Sequence, residues 1–65
     1  MNETIYKALK IMEDRAQYYT DRAKVTRNEI QDRMVVFSSA YANAANILRA
    51  AINEDWDTLK EYEGA

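Results

Sequence analysis

Cations and tyrosines are closely interleaved between residues 15 and 27 of this 65-residue chain. Four of them, from Arg15 to Arg22, fall within two turns of a helix, so that their side chains can form one patch. Guanidinium groups bind phosphate oxygens in pairs, and an aromatic ring can stack on a base. The segment therefore predicts a site for a small anionic ligand such as a nucleotide, formed by Arg15, Tyr18, Tyr19, Arg22, Lys24 and Arg27. In the alternative interpretation, Tyr19 packs between helices and the cations are the solvated flank of a coiled coil.

Two carboxylate pairs, Glu29-x-x-Asp32 and Glu54-x-x-Asp57, form the second arrangement that could do chemistry. They resemble the paired motifs with which all-helical nucleoside triphosphate pyrophosphohydrolases hold magnesium, a hard cation that prefers oxygen ligands. Charged residues make up 31% of the chain, however, so such pairs arise by chance. The chain has no His and no Cys, and its serines lack an obvious activating base. We predict a protein that is not an enzyme, with no catalytic residues, no metal site and no cofactor.

The length, composition and net charge of the sequence limit the kind of protein this can be. A single domain of this size has a small core, which by itself gives little stability. Small proteins that have neither disulfides nor bound metals are usually stabilised by self-association, so we expect a homo-oligomer. The N-terminus lacks the features of a signal peptide, and the most apolar window, residues 34–52, is too polar for a membrane span. With no Cys, these features predict a cytoplasmic protein with no membrane partner. The net charge of −2 argues against general binding of nucleic acid.

The elements that position these residues are predicted to be helices, because no Gly or Pro precedes Gly64 and no strand alternation occurs. Apolar or small residues recur from Ile5 to Ile30 with the spacing 4-3-4-3-4-3-4, which is the heptad stripe of a coiled coil. After one step of four to Met34 the pattern resumes. We therefore favour one continuous amphipathic helix over residues 3–52. A hairpin is the alternative, because Thr26 to Glu29 match a capping box and Asn28 can adopt a left-handed turn conformation.

A short helix over residues 55–62 is predicted to follow, with Asp55 as its N-cap. We expect it to fold back on the Ala-rich part of the long helix, because Trp56 is too large and apolar to remain in solvent. Residues 1–65 would then form a single all-α domain. The predicted interface between helices consists of Ile5, Leu9, Met12, Tyr19, Ile30, Met34, Phe37, Tyr41, Leu48, Ile52 and Trp56.

Three polar residues interrupt the Ala-rich segment at helical spacing, namely Ser39, Asn43 and Asn46. Polar side chains on one stripe can fix the register between helices by pairing across the interface. A ligand pocket between Ala-lined helices, with Asn43, Asn46 and Arg49 as polar contacts, is the alternative.

The stretch AYANAANILRAAINEDWDTLKEYE resembles the C-terminal half of small uncharacterised helical proteins encoded by phages and prophages of Gram-positive bacteria. The similarity covers residues 35–63 and rests on the run Ala40–Ala42, the segment Ile47–Ile52, and the acidic turn before Trp56. It implies an accessory protein of the host cytosol that binds and inhibits a host protein. Two alternatives remain: a protein that sequesters a nucleotide-type signalling ligand, and a structural or assembly component with no ligand.

Overall fold

Three helices make up the protein in the computed structural model, which describes residues 3–64. Helix α1 spans Glu3–Val25, α2 spans Asn28–Ile52 and α3 spans Trp56–Glu63. Helices α1 and α2 form an antiparallel hairpin, and α3 packs on α2 near its C-terminal end. The predicted all-α class is confirmed, and the described part of the chain contains no strand.

The predicted continuous helix over residues 3–52 is wrong, because the chain turns at Thr26 and Arg27. The Thr26 hydroxyl donates back to the Arg22 carbonyl 2.9 Å away, so it closes the end of α1. Arg27 is the extended N-cap of α2, with φ −140° and ψ 161°, and Asn28 is left-handed with φ 61°. The hairpin alternative was therefore the right one, with Asn28 in the expected conformation. The capping box does not form, since Arg27 rather than Thr26 occupies the N-cap.

The heptad stripe of α1 packs within the chain, against α2. Leu9, Met12, Ala16, Tyr19 and Ala23 are all half-buried along it. Short side chains allow a direct polar link across the hairpin: the Ser38 hydroxyl donates to the Ala16 carbonyl at 3.1 Å and is hydrogen-bonded to the Thr20 hydroxyl. Near the turn, the Gln31 amide donates to the Ala23 carbonyl at 2.9 Å.

The stripe of α2 that faces α1 differs from the predicted one by a rotation of the helix. Its half-buried or buried members are Met34, Ser38, Tyr41, Ala45, Leu48 and Ile52, again at heptad spacing. Met34, Tyr41, Leu48 and Ile52 were expected in an interface. Ile30 and Phe37 are exposed instead, as are Ile5 and Trp56. Two stripes of equal period run along this helix, and the hairpin covers the one that contains Ser38 and Ala45.

Helix α3 begins as expected, with Asp55 as its N-cap and the left-handed residue Glu54 (φ 53°) reversing the chain before it. The Asp55 carboxylate accepts from the Thr58 backbone N–H at 3.2 Å and from the Thr58 hydroxyl at 2.7 Å. Leu59 and Tyr62 are the half-buried apolar residues of α3, whereas Trp56 is 69% exposed. The expectation that Trp56 fills a gap over the Ala-rich segment is therefore wrong. The helix rests on α2 through other residues of its surface.

The resulting molecule is a single layer of helices. Its Cα extents are 40 × 28 × 11 Å. Among the described residues only Ala45 and Ala50 are buried, at 3% and 5% exposure. A layer one helix thick cannot enclose a large side chain, so the described chain has no buried residue larger than alanine. None of the described helices combines the length and the hydropathy that crossing a membrane requires.

Candidate functional site

The Tyr/Arg patch predicted from the sequence is assembled around Arg15, near the middle of the hairpin. The Arg15 guanidinium lies over the rings of Tyr18, Tyr19 and Tyr41, at 5.2, 5.1 and 6.0 Å from their centroids. It also donates to the Tyr19 hydroxyl at 3.0 Å. A cation over an aromatic face is attracted by the negative centre of the ring. Tyr19 and Tyr41 raise the pKa of Arg15, Tyr19 most strongly.

The rings themselves form a continuous cluster across the two helices. Tyr19 stacks on Tyr41 with centroids 5.8 Å apart, and its ring lies 5.2 Å from that of Phe37. Tyr18 meets Tyr19 edge to face at 5.1 Å. These geometries are the favoured ones for aromatic pairs. Arg15 and Tyr19 therefore serve the packing of the hairpin, which leaves fewer of their donors for a ligand.

The other cations of the patch are more scattered. Arg22 lies seven residues after Arg15 on the same stripe of α1, close to Tyr18. Lys24 is 3.9 Å from Asp21 in an exposed pair, and Arg27 is in the turn. In residues 3–64 neither Arg22 nor Arg27 forms an ion pair, so both guanidinium groups face solvent. The structure thus keeps Tyr18 and Arg22 together as accessible groups and separates them from Lys24 and Arg27.

The carboxylate pairs are too far apart to share a cation. Glu29 and Asp32 lie in the first turns of α2, whereas Glu54 and Asp57 lie beyond its C-terminal end. At 1.5 Å per residue the length of helix between them is about 30 Å. No group of three or more potential metal-ligating side chains occurs among residues 3–64. The arrangement of a magnesium-dependent pyrophosphohydrolase is therefore not formed within one chain.

A shallow open cleft of about 250 Å³ separates α2 from α3, and Asn46, Arg49 and Tyr62 are among its walls. The Asn46 amide donates to the Tyr62 hydroxyl at 3.1 Å and accepts from Arg49 at 2.8 Å. The Arg49 guanidinium also donates to Glu13 of α1 at 2.7 Å. Asn46 thus links α2 to α3, and it is exposed, as are Ser39 and Asn43. Since Asn46 and Arg49 already have partners, the cleft offers a ligand few unsatisfied groups.

Exposed apolar side chains are the feature that sequence analysis did not anticipate. Eleven large ones stand out among the described residues, and Trp56 and Val25 are the most exposed of them, at 69% and 73%. Trp56 occupies the first position of an acidic helix.

The serine that links α2 to α1 is Ser38, whereas the sequence analysis predicts Ser39. One position along a helix rotates the side chain by 100°, which moves it from the α1 side to solvent. The signal was present, because residues 31, 34, 38, 41, 45, 48 and 52 have the same 3-4 spacing as the predicted stripe.

No family of known proteins, no curated protein and no solved structure matches this chain.

Proposed function

We propose that this chain is a non-enzymatic, homo-oligomeric helical protein that acts by binding another protein, in the phage setting a host factor that it inhibits. Trp56 is the observation that carries the proposal. Its side chain is 69% exposed at the start of α3, and that helix is held in place by Asp55, Leu59 and Tyr62 rather than by Trp56. A tryptophan that the fold does not need for packing is available for a partner.

The free energy available from burying Trp56 is large for a single side chain. An aromatic side chain of this class buries up to about 250 Å², and roughly 25 cal/mol is gained per Å² of apolar surface. With about two thirds of the ring still exposed, covering it would contribute on the order of 3–4 kcal/mol before the costs of association. Tryptophan is also the residue most enriched among the energetic centres of protein interfaces.

The charges around Trp56 indicate the chemistry of the partner. Residues 54–63 contain five acidic side chains against the single cation Lys60. Acidic surfaces accelerate association with basic ones and repel acidic ones. The expected partner therefore presents an apolar pocket with lysine or arginine residues around its rim.

The alternative of nucleotide sequestration is supported by the accessible pair Tyr18 and Arg22. Arg15 supports it less, because its guanidinium is engaged by three aromatic rings and the Tyr19 hydroxyl. A nucleotide-binding protein would show a rise in melting temperature with ATP or a cyclic dinucleotide, and Arg22→Ala would abolish that rise. A purely structural component would show neither this response nor a host partner.

The test compares affinity capture from host lysate by the wild type, Trp56→Ala and Tyr6→Ala. Tyr6 is a matched control, since it is an exposed aromatic residue on α1, and the described residues of α1 do not contact α3. We expect the wild type and Tyr6→Ala to retain one host protein at a fixed stoichiometry and Trp56→Ala to lose it while keeping the same circular dichroism spectrum. The captured protein, once purified, should bind the wild type in isothermal titration calorimetry. Equal capture by all three proteins, or no capture by any, would contradict the role of Trp56.

A further inference from the structure

One side of the hairpin combines arginines with exposed apolar side chains. The ring of Tyr19 on α1 lies 5.2 Å from that of Phe37 on α2, and the Arg15 guanidinium lies over the ring of Tyr41. These contacts mark the line along which the two helices border each other on that side. Residues at helical spacing from Arg15 and from Phe37 lie there too. We call six exposed residues among them the arginine face: Ile11, Arg15 and Arg22 on α1, and Ile30, Arg33 and Phe37 on α2.

The arginine face has a charge of its own. Three of its six residues are arginine and none is acidic. The neighbouring positions of the same two stripes, 8 and 18 on α1 and 40, 44 and 51 on α2, are alanine or tyrosine. The eleven acidic residues of the chain all occupy other positions. The face is thus positive in a chain whose net charge is −2.

The three arginines have donors available for a partner. Within residues 3–64, the side chains of Arg22 and Arg33 form no ion pair and no hydrogen bond. Arg15 donates to the Tyr19 hydroxyl, but a guanidinium has five N–H donors, so further donors remain. Arg15 and Arg22 are seven residues apart, which is about 10 Å along the helix. Carboxylates seven residues apart on another helix have the same spacing.

The opposite side of the hairpin is occupied by the chain itself. Asn46 lies nine residues after Phe37, which is half a turn around α2, and its amide donates to Tyr62 of α3. Arg49 donates to Glu13 on that side and joins the two long helices. Helix α3 packs on α2 and does not contact the described residues of α1. Within residues 3–64, the arginine face is therefore left uncovered.

The accessible area of the chain measures what is missing. Compact monomers of 7.6 kDa expose about 4,300 Å² by the scaling of surface with mass, whereas this chain exposes 5261 Å². The excess is about 1,000 Å². A stable protein–protein interface of standard size buries about 800 Å² on each partner. One partner of ordinary interface size would therefore bring the chain to the exposure of a compact protein.

The shape and the number of charges favour a helix as that partner. Two packed helices leave a groove between them, and the small half-buried residues Ala8 and Ala44 keep it open towards the ends away from the turn. The ridges of a third helix pack into such grooves. Anionic lipid is usually bound by clusters of about four to eight cations, and duplex DNA by about six to ten phosphate contacts. The arginine face has three cations, which suits the few carboxylates along one side of a helix.

We propose that the arginine face binds an acidic amphipathic helix of a partner protein, which lies along the hairpin as its third long helix. The apolar stripe of that helix covers the apolar members of the face, and its Asp or Glu residues pair with Arg15, Arg22 and Arg33. Guanidinium and carboxylate groups pair through two parallel hydrogen bonds, which fixes the register. This surface goes beyond the proposed function, because it is separate from Trp56 and prefers a partner of the opposite charge.

Two synthetic 21-residue peptides test the charge preference by isothermal titration calorimetry. Both have leucine at the a and d positions of three heptads, and they carry either Glu or Lys at the e and g positions. Each peptide repels its own copies and stays free to bind, and as a helix it is about 32 Å long. We expect the Glu peptide to bind at least 10-fold more tightly than the Lys peptide, with an affinity that falls as salt is added. Equal affinities, or no binding of the Glu peptide at 100 µM, would overturn the proposal.

Charge reversal in the protein tests the location. Arg22→Glu and Arg33→Glu should each weaken binding of the Glu peptide at least 10-fold and strengthen binding of the Lys peptide. Lys24→Glu is the matched control and should change either affinity less than 2-fold, since Lys24 is exposed two residues from Arg22 and lies on the other side of α1. Arg33→Gln, which only removes the charge, should weaken the Glu peptide in the same direction and serves if a glutamate variant does not fold. Equal losses in all of these variants would show attraction to the overall charge and contradict the proposal.

Vesicles of phosphatidylglycerol and a 20-residue oligothymidine test the competing occupants. If either of them binds the wild type but not Arg22→Glu or Arg33→Glu, while the Glu peptide does not bind, the face belongs to lipid or nucleic acid and the proposal is overturned. Trp56→Ala should bind the Glu peptide as the wild type does, because Trp56 lies on α3. Failure of peptide binding leaves capture of a host protein by Trp56 unaffected, so the two proposals fail separately.

Discussion

The hairpin of α1 and α2 and the short helix α3 are held in place by different kinds of interaction. The hairpin has a continuous seam of half-buried residues, an aromatic cluster and direct hydrogen bonds between helices. Helix α3 has eight residues, an N-cap, two half-buried apolar residues and one hydrogen bond to α2. Isolated helices of that length are not stable in water, so α3 depends on these few contacts.

This difference separates the residues that stabilise the fold from the residues that are available to bind a partner. Residues of the hairpin seam contact one another and are not available to a partner. The contacts of α3 are few, and its largest side chain faces solvent. Helices and loops with few buried contacts unfold locally most readily, and binding surfaces are often found on them. We therefore expect substitutions of the half-buried residues between α1 and α2 to change stability, and substitutions of exposed residues on α3 to change binding.

The largest effect on stability is expected from Leu48→Ala, in the seam of the hairpin. Truncation of a buried leucine costs 2–5 kcal/mol, and for half-buried Leu48 we expect about 2 kcal/mol in the free energy of unfolding. Trp56→Ala should change it by no more than about 0.5 kcal/mol, because Trp56 is exposed. Urea denaturation followed by circular dichroism measures both. If Trp56→Ala lowered the free energy of unfolding more than Leu48→Ala, then α3 rather than the hairpin would be the region that stabilises the fold.

A smaller effect is expected from Ser38→Ala, which removes the hydroxyl that links α2 to the Ala16 carbonyl. We expect a loss of about 1 kcal/mol, typical of one hydrogen bond, because the Thr20 hydroxyl, which bonds to Ser38 in the wild type, lies 2.9 Å from the same carbonyl and can donate to it instead. Ser39→Ala is the matched control and should be neutral within about 0.5 kcal/mol, since Ser39 is exposed. If the two variants unfold at the same urea concentration, Ser38 does not join the helices in solution.

The smallest effect is a pH dependence confined to α3. The Thr58 hydroxyl, and after it the Thr58 backbone N–H, lower the pKa of Asp55 below its ordinary value of 3.8. A carboxyl whose pKa is lower in the folded state stabilises that state above 3.8 and loses this contribution as the pH falls through the folded value. Acidification should therefore loosen the N-terminus of α3 while the hairpin persists.

Nuclear magnetic resonance can measure this directly. The Asp55 carboxyl carbon should titrate with a midpoint below 3.8, and the Thr58 amide should shift with the same midpoint. Asp55→Asn retains an acceptor for the cap but has no carboxyl, so in that variant the Thr58 amide should not follow this titration. A midpoint at or above 3.8 in the wild type would show that the cap is absent in solution.

The local features of the fold could be predicted from the sequence because each depends on neighbouring residues. The composition predicted helices throughout, Asp55 predicted the start of α3, and the stripe from Leu9 to Ala23 predicted the face that α1 buries. The Tyr/Arg patch was also identified, as Arg15, Tyr18 and Tyr19 do meet. What Arg15 does there could not be predicted, because Tyr41 comes from the other helix.

Tertiary packing alone decided the turn and the covered face of α2. The heptad stripe suited either a long helix or a hairpin, and no Gly or Pro marks the turn. Stripes through Phe37 and through Ser38 have the same period, so the hydrophobic pattern cannot choose between them. Folding the chain back allows Ser38 to bond to α1 and Ala45 to be buried, and it leaves Phe37 at the edge of the seam. The sequence therefore determined which helices form, whereas contacts between residues distant in the chain determined which sides of those helices are covered.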